Sequence, residues 1–407
     1  MAKIRKVEAR EILNSKGDAA IETSVLLGDN SIGISSCPAG TSVGDYEALS
    51  LDAAKAIENV NKIIGPEIIG MESLNQQEVD KKMITLDGTQ NKSRLGANAI
   101  LSVSMALAKA SARSSVLPLF LYLRQFIKKD KTIKIPTPIF NIIGGGRHAD
   151  NSLNFQEFLI IPASSKPYKE SLTIGNTIYK FTKDILKENQ ASTLVGLEGA
   201  YGPNLATNQE ALAILKSAVD RSDYRFDFDV FFGIDAAANN FRSSQGYLIS
   251  DKRINLTSNE LVAFYKELNS NYHLLYLEDP LSQDDWEGWQ RISQDLSENS
   301  LIVGDDIIAT NPYRLQVALD KKAVTGIIIK PNQIGTVIEA LAVVEVARQT
   351  GLKVIVSHRS GETNDDFIAD FAVAVSADYV KFGPPARGER VAKYNRLSQI
   401  ESQLKLI

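Results

Sequence analysis

The sequence predicts a parallel α/β barrel with an active site at one mouth, preceded by a smaller α+β domain. Three observations predict it. The second half repeats one pattern, a short apolar run of β type that stops on a polar, chargeable residue: FFGID at Asp235, LLYLED at Glu278 and Asp279, LIVGDD at Asp305 and Asp306, GIIIK at Lys330, KVIVSHR at Ser357, His358 and Arg359, and YVKFG around Lys381. Helix-length amphipathic stretches separate most of these runs, and strands that alternate with helices read as βα units around a parallel sheet. A chain of 407 residues, 44% hydrophobic, suits two or three average domains, or one barrel plus a smaller domain. Barrels keep their chemistry at the C-terminal ends of their strands, where all these polar residues fall.

The elements follow in chain order. KIRKVEAREIL alternates as a strand, NSKGD (14–18) is a turn cluster, and AIETSVLLGDNSIGISS reads as a hairpin around Gly28, Asp29 and Asn30. Residues 38–46, PAGTSVGDY, form a Gly/Ser loop without helix or strand period, either a connector or a mobile lid. Residues 51–69, 75–84 and the Ala-rich 91–114 read as helices. The charges and prolines of KKDKTIKIPTPIFN (128–141) place a boundary near residue 130, giving domains 1–130 and 131–407. Beyond it come GGGRHADN (144–151), FQEFLIIP (155–162), a helix to about 187, the glycine-rich VGLEGAYGPN (195–204) and a helix over about 208–219. The strand-helix alternation then begins.

Composition excludes several classes. The net charge of -4, from 45 basic and 49 acidic residues, gives no nucleic-acid signature and no polybasic membrane patch. The single cysteine, Cys37, rules out an internal disulfide framework and fits a reducing compartment. The segment MAKIRKVEAREIL has no apolar stretch long enough for a signal peptide or a span, so a cytoplasmic protein is expected.

Asp235, Glu278 and Asp305 converge at one mouth if each ends a barrel strand. Oxygen-only ligands favour a hard ion, Mg²⁺ before Mn²⁺; the bland alternative is that each acid caps the following helix. Lys330 ends a fully apolar strand. It is either a general base, its pKa lowered by dry surroundings and neighbouring cations, or a lysine paired permanently with one of the acids. SHRSGET (357–363) offers backbone N–H groups and Arg359 as an anion site, or else a helix N-cap with a surface arginine. Glu198 lies between glycines, and Leu197 beside it makes an apolar setting that would raise a carboxyl pKa and suit a proton donor; a surface loop acid is the alternative. Glu157 alternates with apolar neighbours and is expected to face inward with Gln156. A zinc reading of His358 is poor, because His148 and His273 lie at no motif spacing from it.

The chain resembles the enolase (phosphopyruvate hydratase) family. The matching stretches are LDGTQNKSRLGANAILSVSMALAKA (86–110), NIIGGGRHADN (141–151), FQEFLIIP (155–162), YLEDPLSQDDWEGW (276–289), VGDDIIATNPYRL (303–315), IIIKPNQIGT (327–336), VSHRSGET (356–363) and ARGERVAKYNRL (386–397). The resemblance implies a ββαα(βα)6 barrel, reversible dehydration of 2-phosphoglycerate to phosphoenolpyruvate in glycolysis and gluconeogenesis, two Mg²⁺ per active site, and a homodimer or larger homo-oligomer. Asp235, Glu278 and Asp305 resemble the ligands of the tighter metal, and Ser42 the loop serine that helps hold the second. Lys330 resembles the base, and Glu198 the acid that helps expel the hydroxyl, with Glu157 beside it. His148, Arg359, Ser360 and Lys381 resemble substrate-holding residues. Closure of loop 38–46 would bring Ser42 to the second ion.

The chain departs from the family pattern at several points. The loop reads Ala39-Gly40-Thr41-Ser42-Val43 in place of SGAST, and Tyr46 stands where His is common. Leu197 and Ala200 alter the usual GDEGG, Gly144 replaces Asn, Lys16 replaces Arg, and Pro331 follows the base lysine. Two other readings therefore stay open: a related lyase abstracting the α-proton of another carboxylate, and a catalytically weak paralogue with a binding or structural role.

Overall fold

The computed structural model describes residues 2–40, 44–128 and 132–406. The expected boundary near residue 130, and Ser42 with its metal-holding role, lie outside the described residues. The chain opens with an antiparallel sheet of β1 (Ile4–Leu13), β2 (Ala19–Leu27) and β3 (Ile32–Ser36). Alternating apolar residues such as Ile4, Val7 and Ala9 turn inward from β1. The sequence over 51–69 forms α1 (Ala53–Asn59), a π-helical turn at Val60–Ile64, and α2 (Gly65–Ile68). Next come α3 (Gln76–Asp87), α4 (Ala97–Ser114) and α5 (Leu119–Leu123).

Helix α4 starts six residues later than its Ala-rich pattern suggests. Gly96 precedes it at φ 95, and the Asp87 carboxylate takes N–H bonds from Thr89 and Leu95 at 3.0 and 2.6 Å, which holds 89–95 in a loop. The alanines and serines of α4 let the helix backbone lie directly on the sheet. The contact is so close that a Cβ at Gly33 of β3 would collide with the Ala106 carbonyl, so only glycine fits there.

A closed eight-stranded barrel follows, with the order ββαα(βα)6. Its first pair, β4 (Thr137–Gly144) and β5 (Glu157–Pro162), is antiparallel; α6 (Tyr168–Glu188) and α7 (Asn208–Asp220) follow, then β6 (Val230–Asp235), also antiparallel to β5. A small sheet of β7 (Arg242–Ser243), β8 (Gly246–Leu248) and β9 (Asn255–Leu256), too short to register as strands in the sequence, precedes α8 (Ser258–Tyr272). The alternation then runs β10 (Leu274–Glu278), α9 (Trp286–Leu296), β11 (Leu301–Gly304), α10 (Pro312–Asp320), β12 (Gly326–Ile329), α11 (Val337–Gln349), β13 (Lys353–Ser357), α12 (Phe367–Ala374), β14 (Tyr379–Lys381) and α13 (Gly388–Leu404). Strands buried on both faces need apolar side chains on both, which is why GIII reads as a continuous run. Ile139, Leu159, Ile161, Tyr276, Val303, Ile328 and Ile355 pack into a second cluster distinct from the main core and fill the barrel. Among the described residues no helix is long and apolar enough to cross a membrane.

Candidate active site

The pairing registers of the strands bring the chemistry together. Glu157 on β5 and Glu278 on β10 both pair with Asp235 on β6, so three acids stand side by side at the strand ends. Ser357 on β13 pairs with Lys381 on β14. A single cleft at this mouth is lined by His148, Glu157, Glu198, Asp235, Asp305, Lys330, Arg359, Ser360 and Lys381, with Glu278 fully buried beneath it. The helices α9, α10 and α11 are capped by Asp285, Asn311 and Thr336, so the strand-end acids are not spent as caps.

Lys381 Nζ occupies the centre of the first acid group, 3.0 Å from Glu157, 3.1 Å from Asp235 and 2.8 Å from Glu278. Asp305 instead forms an ion pair with Lys330 and accepts a 3.0 Å bond from Gln333 Nε2. Burial and the charge of Asp235 push Glu278 up to about 8. Burial and Asp305 push Asp306 up to about 6, and burial with both Asp306 and Asp305 drives Asp279 well above the carboxylate range. Burial also raises Asp235, with Glu157 and Asp305 adding to it, against the pull of Lys381. Six carboxylates, five of them buried, facing two lysines make a region short of positive charge, and the donors are all oxygens. Both features fit a hard divalent cation. Asp279, Asp305 and Asp306 offer oxygens within 4.8 Å of one another.

Two pKa expectations are corrected. Lys330 was expected to fall towards neutrality; burial does pull it down, but the ion pair with Asp305 holds it above its ordinary value. Glu198 was expected to be raised by Leu197. Leu197 is 37% exposed and faces the outer cleft with Lys16 and Arg387, away from the carboxyl's own surroundings. Glu198 is 2% exposed, and although burial raises it, His148 and His358 at 3.5 and 3.3 Å bring it well below the usual range. His148 also meets Glu157 at 3.3 Å, while Arg390 lies 2.8 Å from His358 Nδ1. His148, Glu157 and Glu198 thus form one buried group.

The expected anion site at SHRSGET is also corrected. The backbone N–H groups of Arg359, Gly361 and Glu362 bond to Glu362 Oε1, Ala39 O and Ser15 Oγ, and the following helix begins at Phe367. What remains for an anion is side-chain chemistry, and there Arg359 pairs with Glu47 at 2.7 Å.

Sequence reasoning passed over Glu47, Gln333 and the ligand-like placement of Asp279 and Asp306. The doubled acids of LED and GDD were the available signal for the last two. Nothing local marked Glu47 or Gln333, because their partners are distant in sequence.

Comparison with known families adds an independent finding. Residues 4–123 match the family model for the enolase N-terminal domain, and residues 132–406 match that for the enolase C-terminal TIM barrel domain.

Proposed function

The chain belongs to the enolase family, and from that premise we propose that it is a lyase dehydrating 2-phosphoglycerate reversibly to phosphoenolpyruvate, as a step of glycolysis and gluconeogenesis. The observation that carries the reading is one cleft that holds a strand-end lysine beside a cluster of buried acids, together with a carboxylate between two imidazoles.

A proton α to a carboxylate is weakly acidic, and removing it leaves a doubly charged enediolate. Two Mg²⁺ ions, when bound, would supply the positive charge that stabilises this species. Asp235, Glu278 and Asp305 are the residues proposed to hold the tighter ion, and Ser42 contributes to the second. The pairing of a lysine base with Mg²⁺ is a worked example already known for enolase-type sites.

Lys330 removes the proton. Its amine is governed by opposing neighbours, Asp305 favouring the ammonium and Arg359 and Lys381 opposing it. It becomes a base as the charge of Asp305 is shared more widely. Glu198 is an anion between His148 and His358, so the proton given to the departing hydroxyl belongs to that ion-paired group as a unit. Arg359, Ser360, His148 and Lys381 hold the substrate, with Glu157 beside them. The family also supports a cytoplasmic homo-oligomer, a dimer or larger, which sedimentation would test.

Absorbance in the phosphoenolpyruvate band, followed as purified protein meets 2-phosphoglycerate with and without Mg²⁺, tests the reading. A Mg²⁺-dependent rise is expected. No rise from protein shown to be folded would overturn it.

A further inference from the structure

Arg359 is itself held in place. Its guanidinium bonds to both oxygens of Glu47, at 2.7 and 3.2 Å, and both side chains are 4% exposed. Gly40 also lies against it, close enough that a Cβ would collide with the guanidinium, and Ala39 exchanges backbone bonds with Gly361 at 2.9 and 2.8 Å. A planar guanidinium bound through two parallel hydrogen bonds tolerates little rotation, so whatever fixes Glu47 also fixes the aim of Arg359.

Glu47 follows Tyr46, and the Tyr46 side chain is clamped to the barrel. Its hydroxyl donates to Asp284 at 2.8 Å, and the Arg314 guanidinium lies over its ring at 3.8 Å from the centroid. Arg314 is a fixed plate. It bonds to Ile307 O at 2.8 Å and to Gln283 O, pairs with Asp284 at 3.2 Å, and faces the Trp286 ring at 4.7 Å. Contacts with two rings and hydrogen bonds along its edge hold Arg314 in place more firmly than an unpartnered side chain. Past Glu47, Ala48 N bonds to Gln333 O at 2.8 Å.

We propose that Tyr46, gripped by Arg314 and Asp284, is a positioning residue that fixes Glu47 and thereby orients Arg359 toward the substrate's phosphate. The inference rests on the proposed role of Arg359 in the dehydration reaction. The clamp joins the loop after β10 and helix α10 to a residue of the N-terminal part of the chain. It does so through a tyrosine that does not itself line the cleft.

The test is the rate at which phenylglyoxal modifies Arg359, mapped by mass spectrometry, in the wild type, Tyr46→Ala, Tyr46→Phe, Glu47→Gln and the Tyr46→Ala/Glu47→Gln double variant. Loss of a hydrogen bond and a stacked cation should speed modification by roughly three- to tenfold in Tyr46→Ala, with Tyr46→Phe between it and wild type. The double variant should react no faster than Glu47→Gln, because Tyr46 acts through Glu47. An unchanged rate in Tyr46→Ala, or effects that multiply in the double variant, would overturn the proposal. With 2-phosphoglycerate, KM should rise more than kcat falls in Tyr46→Ala. Absence of turnover in the wild type, with the modification pattern intact, would instead count against the dehydration reading alone.

Discussion

Lys381 Nζ stands 2.8 Å from Glu278 Oε2, at the point where three strand-end acids meet. An ammonium there neutralises part of a charge excess that burial makes costly. It does not neutralise all of it, since Glu278 is still pushed up to about 8.

Stability should therefore depend on pH and on divalent cations together. An acid whose folded pKa is raised keeps its proton in the folded state after the unfolded chain has lost it. The unfolded state then binds fewer protons, and stability falls as pH rises from the unfolded value towards about 8. His358, whose protonated form burial disfavours, acts in the opposite sense only below its ordinary 6.5, while His148, raised against burial by Glu198 and Glu157, acts in the same sense as the acids above 6.5, so across 6.5 to 8 both lower stability as pH rises. In chelator the thermal midpoint should drop across that window. Mg²⁺ should raise the midpoint more at the upper end than the lower, by about 2–5 °C. Equal Mg²⁺ shifts at both ends would contradict the picture of a cation relieving the raised acids.

Replacing Lys330 by Met keeps the aliphatic stem and removes the base. Turnover should fall by about 10³-fold or more, while circular dichroism stays unchanged because Asp305 retains its 3.0 Å bond from Gln333. Activity within tenfold of wild type would refute the assignment of the base.

Gln333 holds Asp305 with its Nε2 and accepts a 2.6 Å bond from Thr310, whose Oγ also accepts the Lys330 N–H at 3.0 Å. Gln333→Ala should weaken Mn²⁺ or Mg²⁺ binding, measured by calorimetric titration, by about 10-fold or more, the usual effect of removing a partner that orients a metal ligand. Unchanged affinity would mean that Asp305 needs no such support.

Glu198→Gln removes the anion that His148 and His358 share. Loss of the hydroxyl should slow by about 10²–10⁴-fold, whereas exchange of the α-proton with deuterated water, followed by NMR, should persist because Lys330 is intact. Equal loss of both would merge the two roles into one.

The sequence by itself determined the barrel. Apolar runs ending on Asp235, Glu278, Asp305, Lys330 and Lys381 specify strands buried on both faces, and a parallel barrel must deliver their C-terminal residues to one mouth. It also fixed the identities of the acids and lysines there. Tertiary structure decided how they pair and therefore how they titrate. That Lys330 meets Asp305, that Lys381 fills the gap among Glu157, Asp235 and Glu278, and that two imidazoles hold Glu198 as an anion all depend on strand register and side-chain reach. Glu47 and Arg359 are 312 residues apart, and Tyr46 and Asp284 are 238 apart. Electrostatic coupling acts over a few ångströms of space irrespective of chain distance, so no local pattern can announce it.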